Sequence, residues 1–89
     1  MNVRKHIRFY GKVQGVGFRY HATYKARLLG LTGWVRNCYD GTVEMEVQGD
    51  AEAIAALLLY LHSQRFIQIK RMDEETIERK EEREFKEKW

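Results

Sequence analysis

Hydrophobic and polar positions along the chain fall into short stretches of two periods. Val3, Ile7 and Phe9 alternate with Arg4, His6, Arg8 and Tyr10, broken only by Lys5, which predicts a strand over about residues 4–10 with one buried face. From Phe18 the period lengthens. Ala22, Ala26 and Leu29 recur at helical spacing and Gly30 is placed to end the element, so a helix is expected over about 18–29. "LTGWVRN" then resembles a second strand, and Asp40-Gly41 is a strong hairpin-turn dipeptide. "TVEMEVQ" alternates without a fault, with Val43, Met45 and Val47 on one face and Thr42, Glu44, Glu46 and Gln48 on the other. Asp50 can cap a helix over about 51–63, whose stripe is Ile54, Leu57, Leu58 and Leu61. "FIQIKRM" offers Ile67 and Ile69 at strand spacing.

The order is βαββαβ, the split βαβ arrangement of α+β ferredoxin-like folds: an antiparallel sheet with two helices on one face. No Pro/Ser linker, internal repeat or low-complexity stretch interrupts it, so residues 1–89 are expected to form a single domain. The tail "DEETIERKEEREFKEKW" stays open between two readings. Glu75/Arg79, Glu82/Lys86 and Glu84/Lys88 have the i, i+4 spacing of a solvated helix, whereas Phe85 could sit in an extra closing strand.

Composition narrows the function classes. A chain of 89 residues buries little more than roughly 60% of its unfolded surface, so its site should be shallow and loop-borne. With 44% hydrophobic and 33% charged residues it reads as a soluble globular protein. It has no apolar run long enough to span a bilayer and no signal-peptide core. The single cysteine, Cys38, excludes an internal disulfide and fits a reducing compartment, so a cytoplasmic location is expected. The net charge of +3 is uneven: residues 1–40 carry eight Lys/Arg against one acid, residues 41–89 eight against twelve. A positive half suggests an anionic ligand, although a solvated surface of uneven sign explains the charge equally well.

Between the first strand and the first helix lies "GKVQGVGFRY", residues 11–20. A loop entering a helix presents backbone N–H groups with no intrahelical partner, and these, with the positive end of the helix dipole, form an anion site. Gly15 and Gly17 let successive N–H groups turn toward one point, and Arg19 in the first turn can offer a planar fork to two phosphate oxygens. On these residues alone a phosphate site and a structural turn with a surface arginine are equally acceptable. A Walker A loop is excluded because Phe18-Arg19 follows Gly17, and the dinucleotide fingerprint because Tyr20 stands where its third glycine belongs.

"GKVQGVGFR", followed after a helix by "GWVRNCYDGTVEMEVQG", resembles the two signatures of the acylphosphatase family, with a close match over residues 7–49. The resemblance implies a ferredoxin-like fold and metal-independent, cofactor-free hydrolysis of small acyl phosphates to a carboxylate and inorganic phosphate. Carried over by residue, it implies that Arg19 and the backbone of Gln14, Gly15, Val16, Gly17 and Phe18 hold the phosphate, while Asn37 orients the attacking water. Inorganic phosphate is then expected as product and competitive inhibitor, with the chain acting as a monomer and binding neither nucleic acid nor membrane. Taken alone, Asn37 also suits a strand-end residue that helps the Asp40-Gly41 turn. The chain departs from the family pattern in lacking proline before the fourth strand and in offering only "REFKEKW" as a closing strand.

Other residues carry less. His6, His21, His62 and Cys38 show no metal-ligand spacing. Trp34 could stack on an acyl group, though core packing suits it better. An RNA-binding module shares the βαββαβ order, but it needs aromatics on the open sheet face, where this chain has Glu44 and Glu46. A regulatory ferredoxin-like domain that binds phosphate without turnover, or one normally fused to a larger carbamoyl-transfer protein, remains the alternative. If the 89 residues are the full length, a stand-alone protein is expected.

Overall fold

A computed structural model describes residues 2–89. Its elements are β1 (Asn2–Lys12), α1 (Phe18–Leu28), β2 (Thr32–Asn37), β3 (Val43–Asp50), α2 (Ala51–His62), β4 (Gln68–Ile77) and β5 (Phe85–Lys88). The strands form one sheet in the order β4-β1-β3-β2-β5. Every neighbouring pair is antiparallel except β2 and β5, which run parallel. The sheet is therefore mixed rather than antiparallel throughout, because the closing strand joins β2 from the far edge.

Alternation builds the sheet as expected. Ile7 and Phe9 on β1, Val35 on β2, and Val43, Met45 and Val47 on β3 are fully buried on the helix side. Against them pack Phe18, Ala22 and Ala26 of α1 and Ile54, Leu57 and Leu61 of α2. Asp50 caps α2 by accepting the Glu52 N–H at 2.8 Å. The Leu31 N–H donates to the Ala26 carbonyl, closing α1 in a Schellman-type end.

The tail is a strand where a helix was one reading. β4 runs on to Ile77, pairing with β1 as far as Arg4, and its Lys/Glu-rich residues are those of a solvated edge strand. Phe85, fully buried, anchors β5 in the core. Residues 78–84 carry the chain from one edge of the sheet to the other, and Arg4 fastens them. Its guanidinium, 1% exposed, donates to Glu46 at 2.9 Å, Gln48 at 3.2 Å and Glu82 at 2.8 Å.

This pairing also explains the uneven charge. On the open sheet face Glu44 takes His6 at 2.6 Å and Arg36 at 2.7 Å, with Arg8 at 3.7 Å; on the opposite face, at the β1–β4 edge, Lys5 pairs with Glu74. Much of the positive half is thus matched to carboxylates of the other half. Trp34 lies on this face instead of in the core, with Lys88 Nζ 4.4 Å from its ring centroid and Arg36 at 5.6 Å. Arg71 covers Tyr10 at 3.9 Å. The aromatics that an RNA-binding sheet would offer to bases are already occupied by cations.

Candidate active site

β1 ends at Lys12, and the chain must turn into α1 within a few residues. Gly15 and Gly17 make that turn at φ +73° and +80°, in the left-handed region that favours glycine. Gly17 is the N-cap of α1 and has no side chain with which to cap it. The first intrahelical bond is His21 N–H to Gly17 C=O, at 3.0 Å. Among the described residues, no backbone N–H from 14 to 20 donates to another backbone group. A run of free donors therefore meets the positive end of the α1 dipole, the arrangement that attracts an anion. Phe18 fixes the start of the helix by packing on Phe9, with ring centroids 4.8 Å apart.

These donors border a shallow cavity of about 190 Å³ lined by Gly15, Gly17, Phe18, Arg19 and Asn37, together with Val13, Tyr20 and Glu87. The fold thus brings together Arg19, in the first turn of α1, and Asn37, at the end of β2. Val16 does not line the cavity and packs partly against the core. Gln14 stands behind it. Its Nε2 donates to the Cys38 carbonyl at 2.7 Å and to the Thr42 carbonyl at 2.8 Å, which ties the glycine loop to the β2–β3 hairpin. That clamp sets the loop amides relative to Asn37.

The hairpin turn closes without the Asn37 side chain. Asp40 Oδ1 accepts from the Thr42 N–H at 3.0 Å and from its hydroxyl at 2.6 Å, and the Cys38 N–H donates to Thr42 C=O. The two Thr42 donors hold the Asp40 carboxyl below the usual carboxylate range. Asn37, exposed at the end of β2, is left facing the cavity rather than building the turn.

Two functional neighbours lie in the tail and carry no signal in the sequence. The Arg19 guanidinium stacks over the Trp89 ring at 3.9 Å, and its Nη1 lies 3.5 Å from the Lys88 carbonyl. Stacking holds the guanidinium plane while leaving in-plane N–H groups for an anion. Glu87, opposite Val35 across the parallel β2–β5 pair, lines the same cavity. No group of three or more His, Cys, Asp or Glu among the described residues could hold a metal. No helix is long and apolar enough to cross a membrane.

Fold and cavity together define a ferredoxin-like protein with unpaired backbone N–H groups bordering a cavity at the start of its first helix. The acylphosphatase family model matches residues 5–87, and the chain belongs to that family. It is 61% identical over 56 residues to an acylphosphatase of Bifidobacterium longum, a match covering 63% of this chain and 58% of that protein. To an acylphosphatase of Thermococcus kodakarensis it is 55% identical over 60 residues, 67% of this chain and 66% of that one. The chain thus matches rather less than two thirds of the length of these relatives. The solved structure of an acylphosphatase from Coxiella burnetii superposes with a TM-score of 0.90 at 32% identity, covering 98% of this chain and 93% of that one.

Proposed function

We propose that this chain is an acylphosphatase, hydrolysing the carboxyl-phosphate anhydride of small acyl phosphates such as acetyl or carbamoyl phosphate. The observation that carries this reading is the convergence of free loop amides, Arg19 and Asn37 on one cavity. The amides of residues 14–18 and the Arg19 fork receive the phosphoryl oxygens, in positions set before substrate arrives by Gln14 and by the Trp89 stack. Asn37 orients a water toward phosphorus. The water oxygen forms the new P–O bond while the bond to the acyl oxygen breaks, its electron pair leaving with the carboxylate. One water proton passes to the phosphate product.

A carboxylate is a weak base and needs no strong general acid to leave, so positioning and charge stabilisation suffice. An amide cannot take the proton at neutral pH, so a phosphoryl oxygen of the substrate accepts it. Inorganic phosphate, the product, competes for the same cradle. We place the protein in the cytoplasm, which its lone free cysteine suits, and take it to act as a monomer. In the test, Arg19→Ala and Asn37→Ala each lower turnover of acetyl phosphate by at least about a hundredfold, the order expected for losing one transition-state donor. Wild-type turnover in both variants would show this mechanism to be wrong.

A further inference from the structure

A carboxylate stands in the wall of the phosphate cavity where the strand pattern calls for an apolar side chain. On β5, Phe85 is fully buried on the helix side, while Lys86 is exposed and Lys88 lies over Trp34 on the open face. Glu87 therefore shares the helix side with Phe85 and is half-buried there, opposite the buried Val35. It lines the cavity with Gly15, Gly17, Arg19 and Asn37.

Nothing in the fold neutralises it. Among the described residues the Glu87 carboxylate has neither a hydrogen bond nor an ion pair. Arg19, the cation of the same wall, is turned to the Trp89 ring at 3.9 Å and to the Lys88 carbonyl at 3.5 Å. Arg27, further along α1, gives its Nε to the Phe85 carbonyl at 2.9 Å. Lys86 and Lys88 project from the other face of the strand.

An anion in this space meets donors on one side and a group that only accepts on the other. The loop N–H groups and the Arg19 guanidinium donate, whereas an ionised carboxylate has no proton to give. A tetrahedral anion that still carries a proton satisfies both sides: its bare oxygens take the N–H groups, and its own O–H donates to the carboxylate in a charge-assisted bond. One without a proton leaves Glu87 unpaired against like charge.

We infer that Glu87 is a specificity-determining residue through which the cradle reads protonation, accepting hydrogen phosphate and rejecting sulfate, an anion of the same shape. The inference rests on the reading of the cradle as a phosphate site. In the hydrolysis proposed above, Glu87 acts late. The proton that water gives to a phosphoryl oxygen creates the P–OH from which the carboxylate accepts, and the proton itself stays on phosphate.

Sodium phosphate and sodium sulfate, titrated separately into the full chain by calorimetry at neutral pH and matched ionic strength, test it, since phosphate there keeps a proton and sulfate has none. The wild type should bind phosphate at least about tenfold more tightly, the order of one hydrogen bond to a charged group. Glu87→Gln keeps the shape, removes the charge and adds an N–H donor, so the two affinities should come within about threefold of each other. Glu87→Ala gives the same comparison if Glu87→Gln does not fold. Glu75→Gln, the same change of net charge on β4 across from His6, should leave the wild-type ratio in place. Equal affinities in the wild type, or a ratio unmoved by both Glu87 substitutions, would overturn the inference while phosphate binding stands. A preference lost equally in Glu75→Gln would overturn it in favour of overall charge. If neither anion binds, the phosphate reading of the cradle falls and the inference with it.

Discussion

Replacing Gln14 by methionine keeps the length of the side chain and removes its two donors. Gln14 Nε2 supplies bonds of 2.7 and 2.8 Å to the carbonyls of Cys38 and Thr42, each worth about 0.5–1.5 kcal/mol net. Neither carbonyl is orphaned, since Cys38 C=O still accepts from Gly41 N–H and Thr42 C=O from Cys38 N–H. The loss therefore falls toward the lower end, about 1–2 kcal/mol for the pair, or about 5–15 °C in thermal midpoint for a domain of this size. Catalysis should suffer more than stability suggests. The clamp joins the loop proposed to hold phosphate to the hairpin that carries Asn37, and a displacement of about 1 Å between reacting groups costs on the order of a hundredfold. Gln14→Met should lower kcat by about ten- to a hundredfold while inhibition by inorganic phosphate, which needs the loop and Arg19 but not Asn37, stays within about threefold. Steady-state kinetics with a phosphate series and a melting curve read both. An unchanged kcat, or a phosphate affinity that falls in step with it, would refute the clamp.

Removing the buried guanidinium in Arg4→Met leaves Glu46 and Glu82 without their main partner and should cost about 3 kcal/mol, read by urea denaturation. Burial alone would raise the Glu44 and Glu46 carboxyls. The His6 and Arg36 bonds to Glu44, and the Arg4 bond and charge on Glu46, outweigh it and hold both below the ordinary range. Their stabilisation is therefore complete above the unfolded carboxylate value of about 4.3 and is lost as pH falls through the lower folded values. Melting temperature should hold from neutral pH to about 5 and decline below about 4, and a flat profile down to pH 2 would contradict this. Trp89→Ala removes the stack on Arg19; with Trp89 92% exposed, that contact is worth about 0.5–1 kcal/mol, so kcat/KM should fall about two- to fivefold and recover in Trp89→Phe.

How much of this was legible in the sequence follows from the range of the forces involved. The β3 alternation, the α2 stripe with its Asp50 cap and the glycine loop are local patterns, and each formed within a residue or two of its expected place. The tail was different. Its i, i+4 charge pairs favour a helix locally, yet nine paired positions between β1 and β4 and the burial of Phe85 decide for strands. Arg4 reads as a solvated strand residue until Glu82, 78 positions away, is laid over it. Arg19 and Asn37 stood out through the two family signatures that hold them, since the local chemistry of each suited a structural turn as well. Glu87, which lines the cavity, and Trp89, which stacks on Arg19, were not, since only the parallel pairing of β5 with β2 brings the tail to this end of the sheet.

Carboxylate release from acetyl phosphate by the purified chain, followed with EDTA present and inorganic phosphate as competitor, decides whether the chain is a hydrolase. Turnover should be steady, resist the chelator and be competitively inhibited by phosphate. A chain that binds phosphate, shown by a raised melting temperature, yet releases no carboxylate above the uncatalysed rate would contradict it and leave the cradle as the anion site of a regulatory domain.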